Sequence, residues 1–138
     1  MVACSRWYRT RPEPPSDQPW FINRVAAVTS ALEPAALLAS LHRLEGDFGR
    51  VRDRGPGIRN APRTIDLDLL AYDGRVQPGD AARGEPVLPH PRLHERAFVL
   101  RPLYDLDPAW RHPVSGRDLP TLLAALPPGQ VAEVVTEE

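Results

Sequence analysis

The stretch Arg63-Thr64-Ile65-Asp66-Leu67-Asp68-Leu69-Leu70 constrains this chain more than any other. Ile65, Leu67 and Leu69 alternate with Thr64, Asp66 and Asp68, the period of a strand with one apolar and one polar face. Such a strand lays its apolar face on a core. The spacing therefore predicts a strand over 64–72, ended by the turn signal Asp73-Gly74. The plain reading of the polar face is solvation. Two features argue for more. Asp is depleted in strands, and two carboxylates on one face, roughly 7 Å apart by the strand rise, repel unless positive charge lies between them. Mg2+ suits that place, because it is typically held by one or two carboxylates plus substrate phosphates.

Just before the acid pair the chain is dense in arginine. Arg50, Arg52, Arg54, Arg59 and Arg63 are interleaved with Gly49, Gly55, Pro56, Gly57 and Pro62. Arginine's planar fork matches phosphate oxygens and stays charged. A glycine-containing loop can fold over a ligand and reopen. Alone, the cluster reads as a solvated surface loop. Beside the acid pair it completes what a polyphosphate needs, since phosphoryl transfer depends mainly on positioning and charge neutralisation. No G-x-x-x-x-G-K-[ST] loop exists, because all 17 basic residues are arginine, and G-x-G-x-x-G is absent as well.

The remaining chain sets the frame. A length of 138 residues suits a single domain over 1–138, and an apolar fraction of 42% is that of a globular protein. A net charge of −1 argues against a general nucleic-acid or membrane-surface binder. The single cysteine, Cys4, rules out an internal disulfide and any multi-cysteine zinc site. There is neither a membrane-length apolar run nor a signal peptide at Met1–Thr10, so a cytoplasmic protein is expected. Strands are predicted over 2–10 and 20–32, separated by the proline loop 11–19. A helix should start at Pro34, carry Leu37, Leu38, Leu41, Leu44 and Phe48, and stop at Gly49. A loop over 76–89 with a short strand near Val87 follows. One or two short helices are predicted over 91–103, a helix over 119–126 and a last strand over 131–135. Strands, helix and strands joined by short loops indicate α+β.

Other residues read two ways. Glu45, on the predicted helix, suits either an exposed helix acid or a partner for an arginine or nucleotide. His90 is fixed between Pro89 and Pro91, which suits a structural loop residue or a ligand-facing imidazole. Phe21 and Asn23 fit a core, or stacking on and hydrogen bonding to a flat heterocycle. His42, His94 and His112 lack metal-ligand spacing and read as surface or structural residues.

These pieces, in this order, resemble the 6-hydroxymethyl-7,8-dihydropterin pyrophosphokinase family. The resemblance rests on Ser5 to Thr10, Gln18 to Asn23, Glu45 with Gly49 to Arg52, Arg59 to Leu70 (R-N-A-P-R-T-I-D-L-D-L-L) and Leu88 to Leu103. It implies a ferredoxin-like α/β sandwich with an antiparallel sheet, and transfer of pyrophosphate from ATP to the dihydropterin with release of AMP. It implies two Mg2+ ions on Asp66 and Asp68. Glu45, Arg50, Arg63, His90 and Arg96 match ATP-site positions, and Thr10, Phe21, Asn23 and Phe98 match pterin-site positions. Arg52 and Arg59 match the mobile loop that closes over ATP and supports catalysis. Arg11, His42 and Asn60 depart from residues common in the family.

The family opens with a strand and a helix ahead of the segment that begins here at Ser5, so the resemblance implies that this sequence starts after the family's first strand and helix. A sheet without that strand would leave edges unpaired. Two functions are therefore weighed: an active Mg2+-dependent pyrophosphokinase, expected as a monomer, and a non-catalytic truncated remnant with weak nucleotide binding or a structural role. A sheet lacking that strand has three responses open to it: closing the gap, swapping with a second copy, or aggregating.

Overall fold

Ser5 divides the first predicted strand. In the computed structural model, which describes residues 3–10, 20–47 and 66–135, β1 (Ala3–Cys4) and β2 (Tyr8–Thr10) flank it. Ser5 is 2% exposed, and its N–H donates to the Val25 carbonyl at 2.8 Å. Its Oγ accepts the Val25 N–H at 2.9 Å, and the Arg24 guanidinium donates to its carbonyl at 2.8 Å. The second predicted strand breaks opposite, into β3 (Phe21–Asn23) and β4 (Ala26–Ala27), in place of one strand over 20–32. A hydroxyl and a guanidinium here take backbone groups that a continuous ladder would have paired.

The chain divides into two compact units, Met1–Thr29 with Pro91–Glu138, and Ser30–His90. In the first unit β1 pairs with β4, and β2 is central in a three-stranded antiparallel sheet between β3 and β5 (Ala132–Val134). The helix α2 (Ala97–Leu106), preceded by a 3-10 turn at Leu93–Glu95, packs on β2, on β5 and on α3 (Leu119–Ala124). Tyr8, Leu93, Ala97, Val99, Leu100, Leu119 and Leu122 are buried in this unit. Burial of a leucine such as Leu100 contributes about 1.5–3 kcal/mol. α3 begins on an Asx cap, with Asp118 Oδ1 accepting the Thr121 N–H at 2.9 Å.

The second unit holds α1 (Pro34–Asp47), which starts at Pro34 as predicted. The strand expected over 64–72 forms no ladder in its described part, 66–72. Its alternation survives: Asp66 and Asp68 are exposed, Leu67 and Leu69 half-buried. The missing ladder has a physical reason, because other groups hold this backbone. The Leu67 N–H donates to Glu45 Oε2 at 2.7 Å, and the Leu70 carbonyl accepts the His90 N–H at 2.8 Å. The turn at Asp73-Gly74 forms as expected, with Asp73 at φ 52° and the Arg75 N–H donating to the Tyr72 carbonyl at 3.0 Å. In place of a strand near Val87, isolated bridges join Gln77 to Leu88 and Asp80 to Glu85. Gly79 is required there: its φ is +79°, and a Cβ would lie 2.9 Å from the Val87 nitrogen.

Antiparallel sheets with three helices give the predicted α+β class, in agreement with a ferredoxin-like fold. Among the described residues no helix is long and apolar enough to cross a membrane. The loops expected at 11–19 and 50–62, the helix residue Phe48 and the stop at Gly49, and Arg50, Arg52, Arg59 and Arg63 lie outside the described residues.

Candidate active site

On the second unit the acid pair is held from behind. Glu45 is 6% exposed, so it is not the solvated helix acid of one sequence reading. Its carboxylate takes the amide of Leu67, the residue between Asp66 and Asp68. Charge-assisted bonds of this kind are stronger than neutral ones. The bond fixes the backbone between two exposed carboxylates that face away from the half-buried Leu67 and Leu69. Among the described residues no group of three or more His, Cys, Asp or Glu forms a metal cluster. Carboxylate oxygens are the hard donors that Mg2+ takes from a protein, with water and phosphate oxygen completing its shell. His90 is half-buried beside the same segment, through its N–H to the Leu70 carbonyl.

On the first unit three of the four pterin candidates share a sheet face. Thr10 pairs with Phe21 and Tyr8 with Asn23 across the β2–β3 ladder, and residues directly opposite project to the same side. The Asn23 Nδ2 donates to the Thr10 hydroxyl at 3.4 Å, and Thr10 is buried. Phe21 is 55% exposed at the sheet edge, so it is not the core residue of the alternative reading. Phe98, the fourth, lies in the first turn of α2 and is half-buried. The Arg96 guanidinium stands over its ring, 5.3 Å from the centroid. A flat aromatic face, an amide and a hydroxyl are groups that suit a planar heterocycle.

A polar tie that sequence reasoning missed joins β2 to α2. The Tyr8 hydroxyl donates to Asp105 at 2.9 Å, and the Arg6 guanidinium donates to the same carboxylate at 2.8 Å. The Arg6 bond holds the Asp105 carboxyl below its usual range, whereas burial, helped by the bond to Asp105, pushes the Tyr8 phenol up. No local signal exposes this tie, because its partners are far apart in sequence. His112 is 8% exposed and structural, as one reading held. Its Nδ1 accepts the Val114 N–H at 3.2 Å. Burial first, and His94 second, push its pKa down.

Over residues 1–108 the sequence matches the family described as 7,8-dihydro-6-hydroxymethylpterin-pyrophosphokinase (HPPK). The chain belongs to the HPPK family. It is 46% identical over 127 residues to the 2-amino-4-hydroxy-6-hydroxymethyldihydropteridine pyrophosphokinase of Pseudomonas aeruginosa, spanning 92% of this chain and 73% of that protein. The protein of the same name from Methylorubrum extorquens is 40% identical over 134 residues, 97% of this chain and 78% of that one. A folic acid synthesis protein of Pneumocystis carinii is 39% identical over 116 residues, 84% of this chain and 15% of that longer protein. Every candidate site residue falls within the span matched to HPPK.

Proposed function

We propose that this HPPK-family chain transfers the β,γ-pyrophosphoryl group of ATP to 6-hydroxymethyl-7,8-dihydropterin, releasing AMP, in folate biosynthesis. The family match over 1–108 carries the reading. The exposed Asp66 and Asp68, with the backbone between them pinned by Glu45, support it from the structure.

In this reading the hydroxymethyl oxygen of the pterin forms a bond to the β-phosphorus of ATP. The bond from that phosphorus to the α,β-bridging oxygen breaks, and AMP leaves with the electron pair. The hydroxyl proton passes to solvent, and no side chain is assigned as general base. Asp66 and Asp68 would hold two Mg2+ ions, which when bound neutralise charge on the phosphate oxygens. Arg96 and His90 contact the nucleotide, and Glu45, the buried residue of the ATP-site set, contributes by holding the acid pair in place. Arg50, Arg52, Arg59 and Arg63 add positive charge, with Arg52 and Arg59 closing over ATP. Phe21 and Phe98 stack on the pterin ring while Thr10 and Asn23 orient it. The chain works in the cytoplasm as a monomer.

The test is AMP formation from ATP and 6-hydroxymethyl-7,8-dihydropterin. Asp66→Ala and Asp68→Ala should each abolish it in the presence of Mg2+. Both side chains are exposed, so each variant should melt as the parent does. Near-parental AMP release by either variant would remove that residue from the metal site.

A further inference from the structure

Arg96 stands where a helix ordinarily carries a capping residue. It is the N-cap of α2, at φ −120° and ψ 113°, between the 3-10 turn and Ala97. Ser, Thr, Asp and Asn are favoured there because a side-chain oxygen accepts an amide of the first turn. Arginine has no acceptor, and Arg96 makes no side-chain capping bond. Its guanidinium is stacked on Phe98 instead. The missing acceptor comes from a distant part of the chain. Gln130 Oε1 accepts the Ala97 N–H at 2.8 Å, and Gln130 Nε2 donates to the Glu95 carbonyl at 2.7 Å. One carboxamide therefore grips the backbone on both sides of Arg96.

We propose that Gln130 is a positioning residue, a two-point clamp that presents the Arg96 guanidinium and the Phe98 ring to the substrates; this rests on the function proposed above. Gln130 lies outside the 1–108 span matched to the family. Two bonds to consecutive peptide units fix both the place and the rotation of the joint between the 3-10 turn and α2. A Ser or Asp at position 96 would cap the helix but remove the guanidinium. The chain separates the two tasks: residue 96 keeps the functional side chain, and Gln130 supplies the cap. A local rule broken at one residue and compensated from elsewhere is what a functional position shows.

Two variants separate positioning from stability. Gln130→Leu removes both bonds. Gln130→Glu keeps the acceptor for Ala97 and adds a charge favoured at a helix N-terminus, but loses the donor to Glu95. The first readout is the NMR signal of the Arg96 Nε–H, displaced by the Phe98 ring current and identified by its change in Phe98→Leu. The second is kcat/KM for 6-hydroxymethyl-7,8-dihydropterin in AMP formation. Both variants should lose the displacement and lower kcat/KM about 10- to 100-fold, the scale of a small misplacement of binding groups. Gln130→Glu should do so while melting close to the parent. If Gln130→Glu, or a folded Gln130→Leu, keeps the parental Arg96 signal and kcat/KM, Gln130 is a helix cap only and the clamp is overturned. A parent chain that releases no AMP overturns the function reading instead, and the Arg96 signal still decides the clamp.

Discussion

Glu45 shows how a single side chain can decide a site without being its most obvious member. It stands four residues after Leu41 and seven after Leu38, both half-buried, on the side that α1 turns inward, whereas Leu44, which the sequence put on the apolar stripe, is exposed. An acid on that inward side needs a donor, and the Leu67 amide is that donor. Glu45→Ala should leave this amide without its acceptor and destabilise the protein by about 1–3 kcal/mol, the cost of an unsatisfied buried group. It should also lower AMP release by loosening the backbone between Asp66 and Asp68. Glu45→Gln keeps an acceptor oxygen and should retain most of the stability. Thermal melting beside AMP formation checks both. An alanine variant with parental melting and turnover would show that the Leu67 amide finds another partner at no cost.

At the scale of elements, sequence period reported burial better than pairing. The helix from Pro34, the turn at Asp73-Gly74, the two short helical pieces around Arg96 and the last strand were all legible, because caps, turn residues and apolar spacing are local. The alternation over 66–69 correctly gave the exposed and half-buried sides, yet no strand pairs there, since Glu45 and His90 take its backbone groups. Ser5 and Arg24 broke two predicted strands by the same means. The pairing of Thr10 with Phe21 across β2 and β3 needed the register, which no single segment contains. The tie between β2 and α2 is likewise non-local and makes a direct prediction. Asp105→Ala should cost about 1–3 kcal/mol, because the buried Tyr8 hydroxyl loses its acceptor and keeps only the Arg6 donor at 3.2 Å, whereas Tyr8→Phe should cost only about 0.5–1.5 kcal/mol. The double variant should cost less than the sum, since both changes remove one shared bond. Urea midpoints for the four proteins measure this, and strict additivity would mean that the Tyr8–Asp105 bond contributes nothing.

For the molecule as a whole, the shifted groups predict an asymmetric dependence of stability on pH. The His112 pKa is depressed below 6.5 by burial and by His94. Between those two values the unfolded chain binds a proton that the folded chain refuses, so stability falls as pH falls. The contribution of His112 is thus complete above 6.5 and lost as pH drops through the folded value. Asp105, held below 3.8 chiefly by Arg6, adds a second loss further into acid, present above 3.8 and gone below its folded pKa. Tyr8 acts on the opposite limb: pushed above 10.0, its contribution is present below that pH and lost as pH rises through the folded value. Stability should therefore hold level between about pH 6.5 and 10 and step down first on the acid side. His112→Asn isolates that first step. The asparagine oxygen can accept the N–H groups of Val114 and Ser115, which His112 Nδ1 takes at 3.2 and 3.4 Å, but it does not titrate. Urea midpoints of the parent should fall as pH drops below about 6.5, while those of His112→Asn stay level until carboxylates begin to protonate. Equal slopes in the two proteins over that interval would mean that His112 is not the group that couples folding to acid.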